Sequence, residues 1–137
     1  MNQLRGRITA IECNDVLSLV DVAVGGDTFT AMLLETPASA PYLAVGNAVT
    51  VMFKETEVSL AKNLSGQISL RNRIKGVVKH IRHGEILSEV ALDYQGQTVT
   101  SIITTRAVAR LELVVGDEVE ALVKANEVAL MEAGHAL

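Results

Sequence analysis

The sequence predicts an all-β protein made of two tandem five-stranded barrels, each with a short helix after its third strand. Three observations lead there. Shifted by about 70 positions, the chain aligns with itself without a gap from Asn2 to Leu130, with about seventeen identities in roughly sixty pairs. Apolar residues alternate strictly in matching segments of the two copies, the period of a strand with one buried face. Glycine-bearing turn signals recur at the same offsets, with Gly6 matching Gly76, Gly26 matching Gly96 and Gly46 matching Gly116. Two copies are too few to bury the faces of a solenoid, so each is a small domain or half of one intertwined unit.

The first strand of each copy is expected near Leu4 to Glu12 and Ile74 to Arg82, ending at the turn signals Asn14-Asp15 and His83-Gly84. The second carries the clearest alternation: Val16, Ser18, Val20, Val22 and Val24 in one copy, Ile86, Ser88, Val90, Leu92 and Tyr94 in the other. Gly25-Gly26-Asp27 and Gln95-Gly96-Gln97 read as tight hairpin turns leading into third strands near Thr28 to Leu33 and Thr98 to Ile103. Thr105 to Leu113 has the Ala and Leu spacing of a short helix, capped by Thr104 or Thr105. The matching stretch of the first copy holds Pro37 and Pro41, which shorten or distort that helix. Fourth and fifth strands follow near Ala48 to Phe53 and Glu57 to Ala61, then Glu118 to Val123 and Glu127 to Met131. Five strands with a helical turn after the third suggest a Greek-key barrel of the oligonucleotide/oligosaccharide-binding (OB) type. The copies span 1–62 and 67–133, joined by the polar stretch Ala61 to Ile68.

At about sixty residues, one copy is near the size at which a lone core is marginal, so pairing or oligomerisation is expected. Of the 137 residues, 49% are hydrophobic and 20% charged, which describes a packed globular protein and not a disordered one. Cys13 is the single cysteine, so no intrachain disulfide can form, and it reads as an ordinary strand residue. Met1 to Gly6 lacks a signal-peptide core and no apolar run reaches the roughly 20 residues of a membrane span. A cytoplasmic location, without membrane partners, is therefore the expectation. The net charge of −4 argues against bulk nucleic-acid binding, because phosphate neutralisation dominates that affinity. A small anion remains compatible if positive groups gather locally.

The most informative string is Gln67 to Gly76, QISLRNRIKG, which sets the donors Ser69, Arg71 and Asn72 just ahead of a glycine-bearing strand. Ser69-Leu70-Arg71-Asn72 with Gly76, then Ile103-Thr104 before a helical segment closed by Gly116, then Val123-Lys124-Ala125 and Val128, resembles the molybdate-binding domains called molbindin or Mop domains (the di-Mop/TOBE family). Leu70 departs from the usual alanine of that motif, at a position whose side chain need not touch ligand. The likeness covers essentially the whole chain. It is similar to two-repeat molbindins and to the paired ligand-sensing domains of molybdate-responsive transcription regulators.

The resemblance implies a cytoplasmic protein that stores molybdate or tungstate, holds the anions at subunit interfaces of a homotrimer, and needs no metal cation. It implies a site of Ser69, Arg71, Asn72, Thr104, Ala107, Lys124 and Ala125. The residue chemistry agrees. Molybdate is a tetrahedral dianion with no proton to donate, so its site should hold donors and no free carboxylate. Ser69 and Thr104 supply hydroxyls, Asn72 an amide, and Arg71 with Lys124 the two positive charges that balance the ligand. Backbone N–H groups near Ala107 and Ala125 complete the expected shell.

The first copy departs where it matters: Leu34 stands for Thr104 and Glu55 for Ala125, while Lys54 persists opposite Lys124 as a weaker candidate. A structural role for that copy follows, with backbone donors to a second class of site as the alternative. Simpler roles exist for single residues. Arg71 and Lys124 alone would be solvated charges, Ser69 and Asn72 a turn, and Lys54 a strand-end lysine. His80 and His83, three apart on a strand, point to opposite faces and cannot readily share a zinc ion, and His135 lies close to the C-terminus. No catalytic grouping recommends an enzyme. Two other functions fit the same sequence: a molybdate-sensing module acting through a partner protein, and a single-strand nucleic-acid binder. The latter is disfavoured by four aromatics and negative charge.

Overall fold

The structure is a computed structural model that describes residues 1–133; His135 lies outside them. Among the described residues ten strands form: β1 (Asn2–Cys13), β2 (Ser18–Val24), β3 (Asp27–Leu33), β4 (Ala48–Phe53), β5 (Ser59–Ala61), β6 (Asn72–Arg82), β7 (Leu87–Tyr94), β8 (Gln97–Thr104), β9 (Glu118–Val123) and β10 (Ala129–Glu132). One helix, α1 (Thr105–Arg110), follows β8, and short 3-10 turns at Glu55–Glu57 and Ala125–Glu127 precede β5 and β10.

The strands make two five-stranded antiparallel sheets, in the orders β10-β4-β1-β2-β3 and β5-β9-β6-β7-β8. The fifth strands are exchanged. β10 of the second copy pairs with β4, Leu130 opposite Val51, and β5 of the first copy pairs with β9, Leu60 opposite Ala121. Each copy thus lends its last strand to the other copy's sheet. The first compact unit is accordingly Gln3–Phe53 with Met1 and the described residues from Lys124 to 133, and the second is Lys54–Val123 with Asn2. In each, the sheet curls until its edge strands approach, β10 towards β3 and β5 towards β8.

In the first unit, inward residues of alternating strands build the core: Leu4, Ile8, Val20, Val22, Phe29, Val49, Val51 and Phe53 are all buried. Phe29 and Phe53 stack with ring centroids 5.9 Å apart. Gly6 lets β1 cross β2 closely, since a Cβ there would stand 2.5 Å from the Ala23 carbonyl oxygen and 2.6 Å from Val22 Cγ1. The second unit packs Ile74, Val78, Val90, Leu92, Tyr94, Val99, Val119 and Val123 in the same way. Asn2 belongs to this unit. Its amide donates to the Thr100 carbonyl and accepts from the Thr100 N–H, satisfying both groups of that β8 residue.

The helix expected in both copies forms only in the second, which corrects the expectation for the first. In α1, the Ala107 N–H bonds the Thr104 cap and the Leu111 N–H closes onto the Ala107 carbonyl. The aligned positions of the first copy are Pro37 and Pro41, which have neither N–H. Residues 37–42 therefore make turns, with Ser39 and Ala40 N–H groups both donating to the Thr36 carbonyl. The α1 carbonyl end is clamped from the joint between copies. Lys62 donates to the Leu111 and Glu112 carbonyls and pairs with Asp117 at 3.0 Å.

This divergence strands one hydroxyl. Ser88 shares a hydrogen bond with Thr105 at 2.8 Å, but Glu35 replaces Thr105 in the first copy, and the buried Ser18 hydroxyl has no partner. Ser88→Ala should cost about 1 kcal/mol, whereas Ser18→Ala should be neutral or stabilising; urea unfolding checks both, and equal losses would refute the contrast. Gly6→Ala should destabilise by about 1–3 kcal/mol through the clash with Ala23 and Val22, read as a lower urea midpoint at unchanged m-value.

Candidate functional site

Ser69 and Arg71 lie on the non-strand lead into β6, and Asn72 is that strand's first residue. Alternation then decides what each side chain meets. Asn72 and Ile74 turn inward and are buried, while Arg71, exposed, and Arg73, half-buried, share the outward face. A depression of about 620 Å³ is lined by Gly66, Gln67, Ile68, Ser69, Arg71 and Arg73. Its lining offers two guanidinium groups, an amide and a hydroxyl, and no carboxylate.

Arg73 was not among the residues expected from the sequence. The signal was present, because it stands two positions after Arg71 on a strand and so presents the same face. Arg73 is not free, however. Its Nε and Nη2 each donate to a Glu120 carboxylate oxygen at 2.9 Å, a two-pronged pair across the β6–β9 ladder. These bonds hold the Glu120 carboxyl below its ordinary value of 4.5 and push Arg73 up.

Asn72 is only 1% exposed. Its counterpart Asn2 spends its amide on the Thr100 backbone, which shows what an asparagine at this position of the repeat can do structurally. Thr104 is exposed at the end of β8 and caps α1, so its oxygen accepts from Ala107 while its own O–H stays available to donate. The Ala107 N–H expected to face an anion is already engaged by that cap. Thr104 and Ala107 are absent from the lining of the Ser69–Arg71 depression. Lys124 is exposed, caps the Ala125–Glu127 turn by its backbone alone, and falls with Ala125 in the first unit. In register, Asn72 opposite Val123 is the last pair of the β6–β9 ladder, and Arg71 and Lys124 are the residues that flank it.

In the first copy, Lys54 is exposed before the Glu55–Glu57 turn, and Leu34, in place of Thr104, is 83% exposed. That turn packs beside β8 in the second unit, while the Ala125–Glu127 turn packs beside β3 in the first, a consequence of the strand exchange.

These features match a known class. The TOBE domain model matches residues 1–60 and 68–130, and the chain belongs to the TOBE domain family. Among individual proteins it is similar to the molybdenum transport protein ModE of Herbaspirillum seropedicae, 31% identical over 130 residues covering 93% of this chain and 48% of that one. It is also 32% identical to the molybdenum-pterin-binding protein MopB of Rhodobacter capsulatus over 127 residues, 90% of this chain and 47% of that one. The chain thus spans about half the length of these curated relatives. A solved structure of the cytoplasmic molybdate-binding protein ModG, in a form with molybdate bound, has the same fold. Its TM-score is 0.90 at 36% identity, covering 96% of this chain and 95% of that one. Among the described residues, no helix is long and apolar enough to cross a membrane.

Because the folded state holds the Glu120 proton less tightly than the unfolded chain does, the Arg73–Glu120 pair stabilises the fold above pH 4.5. That contribution disappears as pH falls through the lowered value. Melting temperatures should therefore drop further between pH 7 and pH 3 in the wild type than in Glu120→Gln, and equal drops would contradict the assignment.

Proposed function

We propose that this chain is a non-enzymatic binder of molybdate, or of the similarly shaped tungstate, that buffers the oxyanion in the cytoplasm. The observation that carries the reading is the depression lined by Ser69 and Arg71 without a carboxylate. A tetrahedral dianion accepts hydrogen bonds only, so a donor-only lining suits it, and fixed positive charge offsets the loss of hydration. The molybdate-bound ModG fold supports the same ligand.

In this reading Ser69, Arg71, Thr104 and Lys124 donate side-chain hydrogen bonds and Ala125 a backbone one. Asn72 anchors the start of β6, and Ala107 holds the Thr104 hydroxyl in place. The Thr104 group lies outside the Ser69–Arg71 depression of one chain, so the complete shell is assembled where chains of a homotrimer meet. Each curled sheet is an OB-type barrel, and the ancestral modules are 1–62 and 67–133 with their last strands traded. Lys54, next to Glu55, makes the first module chiefly structural.

A second reading is favoured by one observation: the match to ModE occupies 48% of that longer protein, so modules of this kind also work as parts of larger ones. Here the chain would sense molybdate and act through a partner, and a pull-down with and without molybdate separates sensing from storage.

Titration calorimetry with molybdate, tungstate and sulfate tests the binding itself. Saturable heat is expected with the first two, and its absence refutes the proposal. Arg71→Ala should weaken binding by about 10- to 100-fold, the worth of one charged hydrogen-bonding group, and Lys54→Ala by much less.

A further inference from the structure

Arg73 stands between two surfaces. On one side it lines the depression with Ser69 and Arg71. On the other it reaches Glu120, which lines a separate depression of about 570 Å³ with Lys75, Asp93 and Glu118. The Glu120 pair takes two of the five N–H donors of the guanidinium and leaves three. The side chains of Arg73 and Glu120 are 30% and 18% exposed, so solvent and a small anion can reach the pair and compete for the guanidinium.

We propose that Arg73 is a further oxyanion-binding residue of the Ser69–Arg71 depression and that Glu120 is its resident counter-ion, which sets the affinity of the site downward. The proposal rests on the oxyanion reading above and adds what regulates that site. The charge count shows why Glu120 matters. In the reading above Arg71 and Lys124 already balance the dianion, so Arg73 raises the sum to +3 and Glu120 brings it back to +2. A carboxylate and a tetrahedral oxyanion present the same paired oxygens to a guanidinium fork, so they compete for the same donors. Arg73 either turns from Glu120 to the anion or bridges both, and in each case the carboxylate weakens binding. Lys75 lies opposite Glu120 in the ladder and also favours its charged form, which keeps the counter-ion in place at neutral pH. A binder restrained in this way releases its ligand readily, as reversible buffering requires.

The test is calorimetric titration of the full chain with molybdate and with sulfate, comparing wild type, Glu120→Gln, Arg73→Ala and the double variant, with thermal melts to verify folding. Glu120→Gln keeps the shape of the side chain and removes its charge. It should tighten molybdate about 3- to 10-fold and strengthen the salt dependence of binding. Arg73→Ala should weaken molybdate, and in the double variant the gain from Glu120→Gln should disappear. Lysine at Arg73 retains charge without the fork, so Arg73→Lys should recover only part of the loss and supplies a second readout if Arg73→Ala melts early. Unchanged or weaker binding in Glu120→Gln, or a gain that survives in the double variant, overturns the role of Arg73 and Glu120 alone. Wild type that takes up no molybdate overturns the oxyanion reading as well.

Discussion

Six registered pairs, from Asn72 opposite Val123 to Val77 opposite Glu118, hold β6 against β9, and the candidate anion site is placed by where that ladder stops. Inside it, Asn72 and Val123 are buried and anchor the end of the sheet. Just beyond it, the chain leaves regular pairing on both sides, at Arg71 and at Lys124. One residue inside the ladder, the same face carries Arg73, and the register that brings β9 alongside supplies Glu120 to meet it. The placement of Arg71, Arg73 and Glu120 thus derives from one strand pair.

The two copies have kept this frame while parting in chemistry. Glycines where strands approach closely and valines of the core recur, because those positions answer to packing and backbone geometry that both copies share. The segment after the third strand has diverged most. Pro37 and Pro41 lack the two N–H groups on which α1 depends, and Glu35 stands where Thr105 partners Ser88, so the aligned Ser18 hydroxyl has no partner. An unsatisfied buried hydroxyl is tolerable as a single cost in a core otherwise filled with Val, Leu and Phe. The second copy kept both the helix and the donor-rich lead into β6, consistent with unequal duties for the modules.

Trading β5 and β10 supplies each sheet's fifth strand from the other copy, so neither sheet is complete without the other copy's residues. It also sets which residues belong together. The turn with Lys54 and Glu55 lies beside β8, and the turn with Lys124 and Ala125 beside β3.

Strand positions, the hairpin turns, the core valines and the second-copy helix were all legible in the sequence, because alternation, glycine and caps act through local backbone geometry; the first-copy helix expected beside Pro37 and Pro41 does not form. So were Ser69 and Arg71, through a motif of consecutive residues, and Arg73 was within reach by counting two positions along β6. Which fifth strand closes which sheet was not legible. Both candidates, Ser59–Ala61 and Ala129–Glu132, carry nearly the same pattern and satisfy either partner, so the choice lies in the path of the chain. Nor could the sequence show that Glu120 already occupies Arg73, because the two are 47 residues apart and only cross-strand register brings the donor to its acceptor. The Thr104 cap on the Ala107 N–H, by contrast, is local and was legible.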